Sequence, residues 1–102
     1  MEMYLISDNV DTLTGMRMVG IPGVVVHTRE ELDAALGYVL QNQEIGILLV
    51  IERLARAFPE PINEIKLNRR FPLLVEIPDR HGMGRAPDFI TAYVREAIGV
   101  KL

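Results

Sequence analysis

Cysteine is missing from this 102-residue chain. Its absence removes disulfides, thiolate nucleophiles and cysteine-ligated zinc. Serine occurs once, as Ser7, and histidine twice, as His27 and His81. Nucleophilic catalysis has little to draw on, and the two histidines follow different predicted strands without metal-ligand spacing. Long apolar runs are also lacking. The longest uncharged one, Ile45 to Ile51, falls far short of the roughly 20 residues that span a bilayer. No basic segment with a long apolar core opens the chain, so no secretory signal is expected. Neither sign of charge dominates, with 11 Lys and Arg against 14 Asp and Glu. Nucleic-acid binders present a basic stripe that neutralises phosphates. Here only Lys66, Arg69 and Arg70 gather, without interleaved aromatics, and a solvated helix end accounts for them. The expectation is a cytoplasmic protein that neither inserts into a membrane nor binds nucleic acid.

What remains is ordinary globular material, 49% hydrophobic and 25% charged. A chain of this size hides roughly two-thirds of its unfolded surface. One domain over residues 1–102 is expected, with a core over about 1–80 and a closing loop and helix over about 81–102. Met3 to Ser7 reads as a short buried strand that ends at the turn-favouring pair Asp8-Asn9. Leu13, Met16 and Val19 follow at roughly helical spacing, with Gly15 weakening the helix they predict. Gly20 to Gly23 is turn punctuation, and Val24 to His27 is β-branched strand material. Thr28 and Glu31 form the S/T-x-x-E capping box. Leu32, Ala35, Leu36, Val39 and Leu40 then line one face of an amphipathic helix. The run from Ile45 to Ile51 shows no alternation, so both of its faces are expected to be buried in a parallel sheet. Glu52 to Phe58 reads as a short helix cut by Pro59, and Pro61 suits the first turn of another, with Ile62 and Ile65 inward. Leu73 to Ile77 is a fourth strand. Ala86 to Ile98 closes the chain as a helix with Ile90, Val94, Ala97 and Ile98 on one face.

Strand thus alternates with helix four times, which predicts right-handed βαβ units and a mostly parallel sheet. The fold expected is a small four-stranded α/β sheet, flavodoxin/CheY-like in order 2-1-3-4, with helices on both faces. In such sheets ligands bind beyond the carboxyl ends of the strands. Asp8 ends strand one, Glu52 follows strand three, and the charged loop Asp79 to Arg85 follows strand four. A phospho-acceptor receiver would need an acceptor aspartate after strand three and a lysine after a fifth strand. Strand three instead ends in Ile51-Glu52, and both lysines, Lys66 and Lys101, lie elsewhere. A phosphate-cradling loop needs a fuller glycine pattern than His81 to Arg85 offers. Glu76 is expected at an edge or strand end, with its carboxylate reaching water. No catalytic, metal or cofactor site assembles from these residues.

Three segments resemble one known family, the F subunits of the V-type (A-type) ATPases and ATP synthases. "LISDNVDTLTGMRMVGI" is similar to the opening of these proteins, "IGILLVIERLA" to their third strand and following helix, and "FPLLVEIPDRHG" to their fourth-strand segment. The order and spacing of the three cover essentially the whole chain, most like bacterial or archaeal members. Ile51 stands where the family usually has threonine, and Met16 and Met18 replace the common Phe and Leu; both changes suit an apolar environment.

The resemblance implies a non-catalytic part of the central rotor stalk, without cofactors. It would clasp the coiled-coil D subunit of the stalk, with the catalytic head and membrane-rotor adaptor as further partners. Torque through the stalk would couple ATP synthesis or hydrolysis to proton or sodium transport, in a complex peripheral to the cell membrane. On that reading Arg80, His81, Arg85, Phe89 and Tyr93 are the expected partner contacts, with the i, i+4 pair Phe89 and Tyr93 as anchors. The alternative is a stand-alone flavodoxin-like signalling or small-ligand-binding domain.

Overall fold

The computed structural model describes residues 1–78. The expected closing helix, and with it Arg80, His81, Arg85, Phe89 and Tyr93, lies outside the described residues. Within them are four strands, β1 (Glu2–Ser7), β2 (Gly23–Val25), β3 (Ile45–Ile51) and β4 (Leu73–Ile77). Four helices connect them: α1 (Val10–Met18), α2 (Arg29–Gln41), α3 (Glu52–Ala57) and α4 (Pro59–Asn68). The strands form one all-parallel sheet in the order β2-β1-β3-β4. This is the flavodoxin-like arrangement predicted from the alternation of apolar patterns.

All seven residues of β3 are buried, as its unbroken apolar run requires. Side chains alternate across a sheet, and β3 divides its residues between two cores. Leu48 and Val50 join Ile6, Leu74 and the inward residues of α2, α3 and α4. Ile47, Leu49 and Ile51 join Leu5, Ile77 and Met16 of α1. Ile51, the departure from threonine, is wholly buried there. Helices cover both faces, three on one side and α1 on the other among the described residues.

The ends of α1 differ from the sequence reading. The helix runs through Gly15, which is buried inside it beside Thr12 and Met16. Val19 is not an inward helical residue but the C-cap, 42% exposed. Gly20 then takes φ +87°, a left-handed conformation that side chains with a Cβ resist. Its N–H donates to the Arg17 carbonyl at 3.0 Å, and the Ile21 N–H donates to the Met16 carbonyl at 2.9 Å. That pair of bonds is a Schellman motif, and the accompanying apolar contact is Ile21 in the core of Met16. Met16 suits the apolar environment expected of it. Met18 does not, being 71% exposed in the last turn.

Strand β2 is shorter than expected and earlier, with Val26 and His27 beyond it. Gly23 opens it because it faces Leu5 directly in the ladder. A Cβ at Gly23 would lie 2.5 Å from the Leu5 carbonyl oxygen, so only glycine lets the strands pair there. Helix α2 matches its predicted face, with Leu32, Ala35, Leu36 and Val39 buried. Thr28 Oγ1 accepts from the Glu31 N–H at 3.1 Å, while the Glu31 carboxylate reaches past the cap to accept from the His27 N–H at 2.7 Å. Helix α4 begins at Pro59, carries Pro61 in its first turn as expected, and buries Ile62 and Ile65.

Candidate functional site

In a parallel sheet each helix carries the chain back from a strand's carboxyl end to the next strand's amino end. The molecule therefore has a carboxyl pole, where strands end and helices start, and an amino pole, where helices end and strands start. Order β2-β1-β3-β4 puts the topological switch point between β1 and β3, which predicts a ligand crevice at the carboxyl pole there.

Among the described residues, the groups at that end of the sheet are spent on one another. Ser7 is fully buried at the end of β1. Its hydroxyl donates to the Asn9 carbonyl and accepts from the Asn9 N–H, each at 3.0 Å. That closes a turn and leaves no free hydroxyl for attack on a substrate. Asn9 is the N-cap of α1: its Oδ1 accepts from the Thr12 N–H at 2.8 Å, and its Nδ2 donates to Asp8 Oδ1 at 2.9 Å. The other Asp8 oxygen accepts from Arg53 Nε, the second residue of α3. The Arg53 guanidinium holds the Asp8 carboxyl below the ordinary carboxylate range, with Asn9 assisting against the opposing effect of burial. Asp8 thus stays ionised and ties the end of β1 to the start of α3, bridging the switch point.

Glu52 turns aside from Asp8 and pairs with Arg56 at 3.4 Å, one turn along α3. His27 is exposed on the loop after β2. Glu76 lies on β4, at the edge of the sheet among the described residues, and meets Lys66 Nζ of α4 at 2.6 Å with its side chain 31% exposed. It reaches water, as expected, and has a partner as well. Arg53 is the member of this constellation that sequence reasoning passed over. The signal was its place directly after Glu52, at the end of the strand beside β1, with charge opposite to Asp8.

The amino pole has a different surface. Of the eight large apolar side chains exposed among the described residues, only Val10 lies at the carboxyl pole. Met18, Val19, Tyr38 and Leu67 stand at the ends of α1, α2 and α4, and Met1, Phe71 and Leu73 at the starts of β1 and β4. Met1, Phe71, Gln43, Glu44, Ile45 and Gly46 line an open hollow of about 290 Å³. No helix of the described residues is long and apolar enough to cross a membrane.

A family model described as ATP synthase (F/14-kDa) subunit matches residues 3–94. The chain belongs to this ATP synthase (F/14-kDa) family. Curated relatives agree along nearly their whole length. An A-type ATP synthase F subunit of Pyrococcus furiosus is 33% identical over 100% of this chain and 98% of its own. Proteins of the same description from Methanocaldococcus jannaschii and Methanococcus maripaludis are 29% and 31% identical, covering 100% and 90% of the chain and 99% and 90% of their own lengths. The ATP synthase (F/14-kDa) match runs from the second residue of β1 through β4.

Proposed function

We propose that the chain is a non-catalytic component of the central rotor stalk of an A-type or V-type rotary ATPase. It binds the coiled-coil D subunit of the stalk and helps couple ATP synthesis or hydrolysis to proton or sodium transport, on the cytoplasmic side of the membrane. The match across residues 3–94, with relatives described as F subunits along nearly their full length, carries this reading. The carboxyl pole is consistent with it. Ser7, Asp8, Asn9 and Arg53 bind one another there, an arrangement that holds a fold together and offers a substrate little. Nucleotide chemistry then belongs to other members of the complex, and this chain supplies a shape that turns with the stalk. The segment with Arg80, His81, Arg85, Phe89 and Tyr93 is part of the same proposal, as a second contact with the stalk or the catalytic head.

Co-expression with the coiled-coil stalk protein of the same source, followed by size-exclusion with mass detection, tests the reading. A stable one-to-one complex is expected. Two separate monomer peaks would sink it, and the loops at the carboxyl pole would then need screening for a small ligand.

A further inference from the structure

Proteins in general expose apolar surface, but large apolar side chains gathered at one end mark a surface that meets something. The hollow between Met1 and Phe71 is the centre of such a gathering, with these side chains 84% and 60% exposed. Leu73, which pairs with Ile47 directly after Gly46, adds a third apolar group at 50% exposure. At about 290 Å³ the hollow is at the bottom of the range for small-molecule pockets, roughly 300–1,000 Å³. Backbone groups around it are already engaged. The Glu2 N–H donates to the Glu44 carbonyl at 2.8 Å, and the Ile45 and Glu44 N–H groups donate to the Asn42 carbonyl and Oδ1, each at 3.1 Å. The polar side chains left at the hollow are those of Gln43 and Glu44, on one segment of its lining. An apolar side chain from another protein fits.

The charges nearby indicate what kind of protein. Glu44 lines the hollow on one side, and Arg70 directly precedes Phe71 on the other. Both are exposed, and neither side chain has an ion-pair or hydrogen-bond partner among the described residues. The other two cations of the cluster differ: Lys66 pairs with Glu76, and Arg69 with Glu64 at 3.6 Å. One unpaired arginine is far from the clusters of four to eight cations that hold a protein on an anionic membrane. Phe, Met and Arg are, however, the residue types enriched in protein interfaces.

Resting on the stalk reading above, we propose that the amino pole is the face that docks the stalk. An apolar residue of a partner helix enters the hollow between Met1 and Phe71. A cation beside it on that helix meets Glu44, and a carboxylate meets Arg70. Coiled-coil helices offer this combination, an apolar seam flanked by charges of both signs.

The test is titration of the full chain against the coiled-coil stalk protein, with three variants beside the wild type. Phe71→Ser combined with Leu73→Ser should weaken binding at least 100-fold, Arg70→Glu about 10-fold, and Val10→Ser at the opposite pole less than 2-fold. Thermal midpoints check that each variant is folded; should the double variant melt early, Arg70→Glu carries the decision alone. If the wild type binds and both amino-pole variants bind as well as it does, docking lies elsewhere. The amino-pole assignment then fails while the stalk function stands. If the wild type does not bind, the function reading fails and the docking face falls with it. Sedimentation of the chain alone, and with phosphatidylserine vesicles, covers other occupants. Self-association or vesicle binding that Phe71→Ser with Leu73→Ser abolishes would overturn the helical partner in favour of a second copy or a lipid surface.

Discussion

The two poles of this sheet are made from the same chain and do opposite things with their surface. At the carboxyl pole, polar side chains from β1, α1 and α3 are knotted together: Ser7 with Asn9, Asn9 with Asp8, Asp8 with Arg53. At the amino pole, Met1 and Phe71 line an open hollow, and Leu73 is exposed on the same end of the sheet. Open α/β sheets usually place their ligand at the first of these ends. Here, among the described residues, the polar groups of that end bind one another, while the amino pole exposes apolar ones. Fold alone directs attention to the carboxyl pole, and function has to be read from the groups themselves.

Several perturbations break or sharpen this contrast. The largest acts on both poles at once, because both hang from β3. Leu49 is wholly buried, and Leu49→Ala should lower unfolding free energy by about 3 kcal/mol, within the 2–5 of such deletions. Urea unfolding measures it, and a loss below about 1 kcal/mol would mean that the site is not packed as described. Next comes Gly23→Ala. Its Cβ would meet the Leu5 backbone and side chain at 2.5 and 2.7 Å, and backbone cannot swing aside. A cost of about 2 kcal/mol is expected from overpacking, with faster amide exchange along β2 while β4 is unchanged. Third is Asn9→Ala at the carboxyl pole, which removes the cap on the Thr12 N–H and the bond to Asp8. About 1 kcal/mol should be lost, with no change in stalk affinity if the poles are functionally separate.

How much of this was legible in the sequence depended on whether the cause was local. The unbroken run Ile45 to Ile51 announced a strand buried on both faces, because it is short, rich in branched residues and without alternation. Thr28 and Glu31 announced α2 through a bond spanning three residues. The cap at Val19 was missed for a reason of the same scale: Val19 keeps helical spacing with Met16, and only the left-handed turn at Gly20 ends the helix before it. The shortness of β2 and the role of Gly23 depend on how closely β1 approaches, a distance no single segment encodes. The candidate site suffered most. Asp8 and Arg53 are 45 residues apart in sequence and meet only once β1 and β3 are paired. The amino pole was less visible still, since Met1, Gly46 and Phe71 come from three separate segments. Family resemblance supplied what pattern could not, by reading the chain as a whole.

The smallest expected effect is also the one that tests whether the carboxyl pole is structural. Asp8 is held below its ordinary value of 3.8 by Arg53. Above that value the carboxylate is charged in folded and unfolded chains alike, so the whole benefit of the pair is present. As pH falls, the unfolded chain takes up the proton first. The benefit therefore shrinks below the ordinary value and is gone once pH passes through the lower folded value. The Arg53 side chain is 47% exposed, so water screens the pair, and Asp8→Asn should cost only about 0.5–1 kcal/mol at pH 7. Paired urea titrations of wild type and Asp8→Asn at pH 7 and at pH 3 read this directly. The difference in midpoint should be clear at pH 7 and markedly smaller at pH 3. A variant as stable as the wild type at both pH values would mean that the ion pair contributes nothing net to folding. Asp8 would then be a charge maintained at the switch point for some other use, and the division of labour between the poles would have to be redrawn.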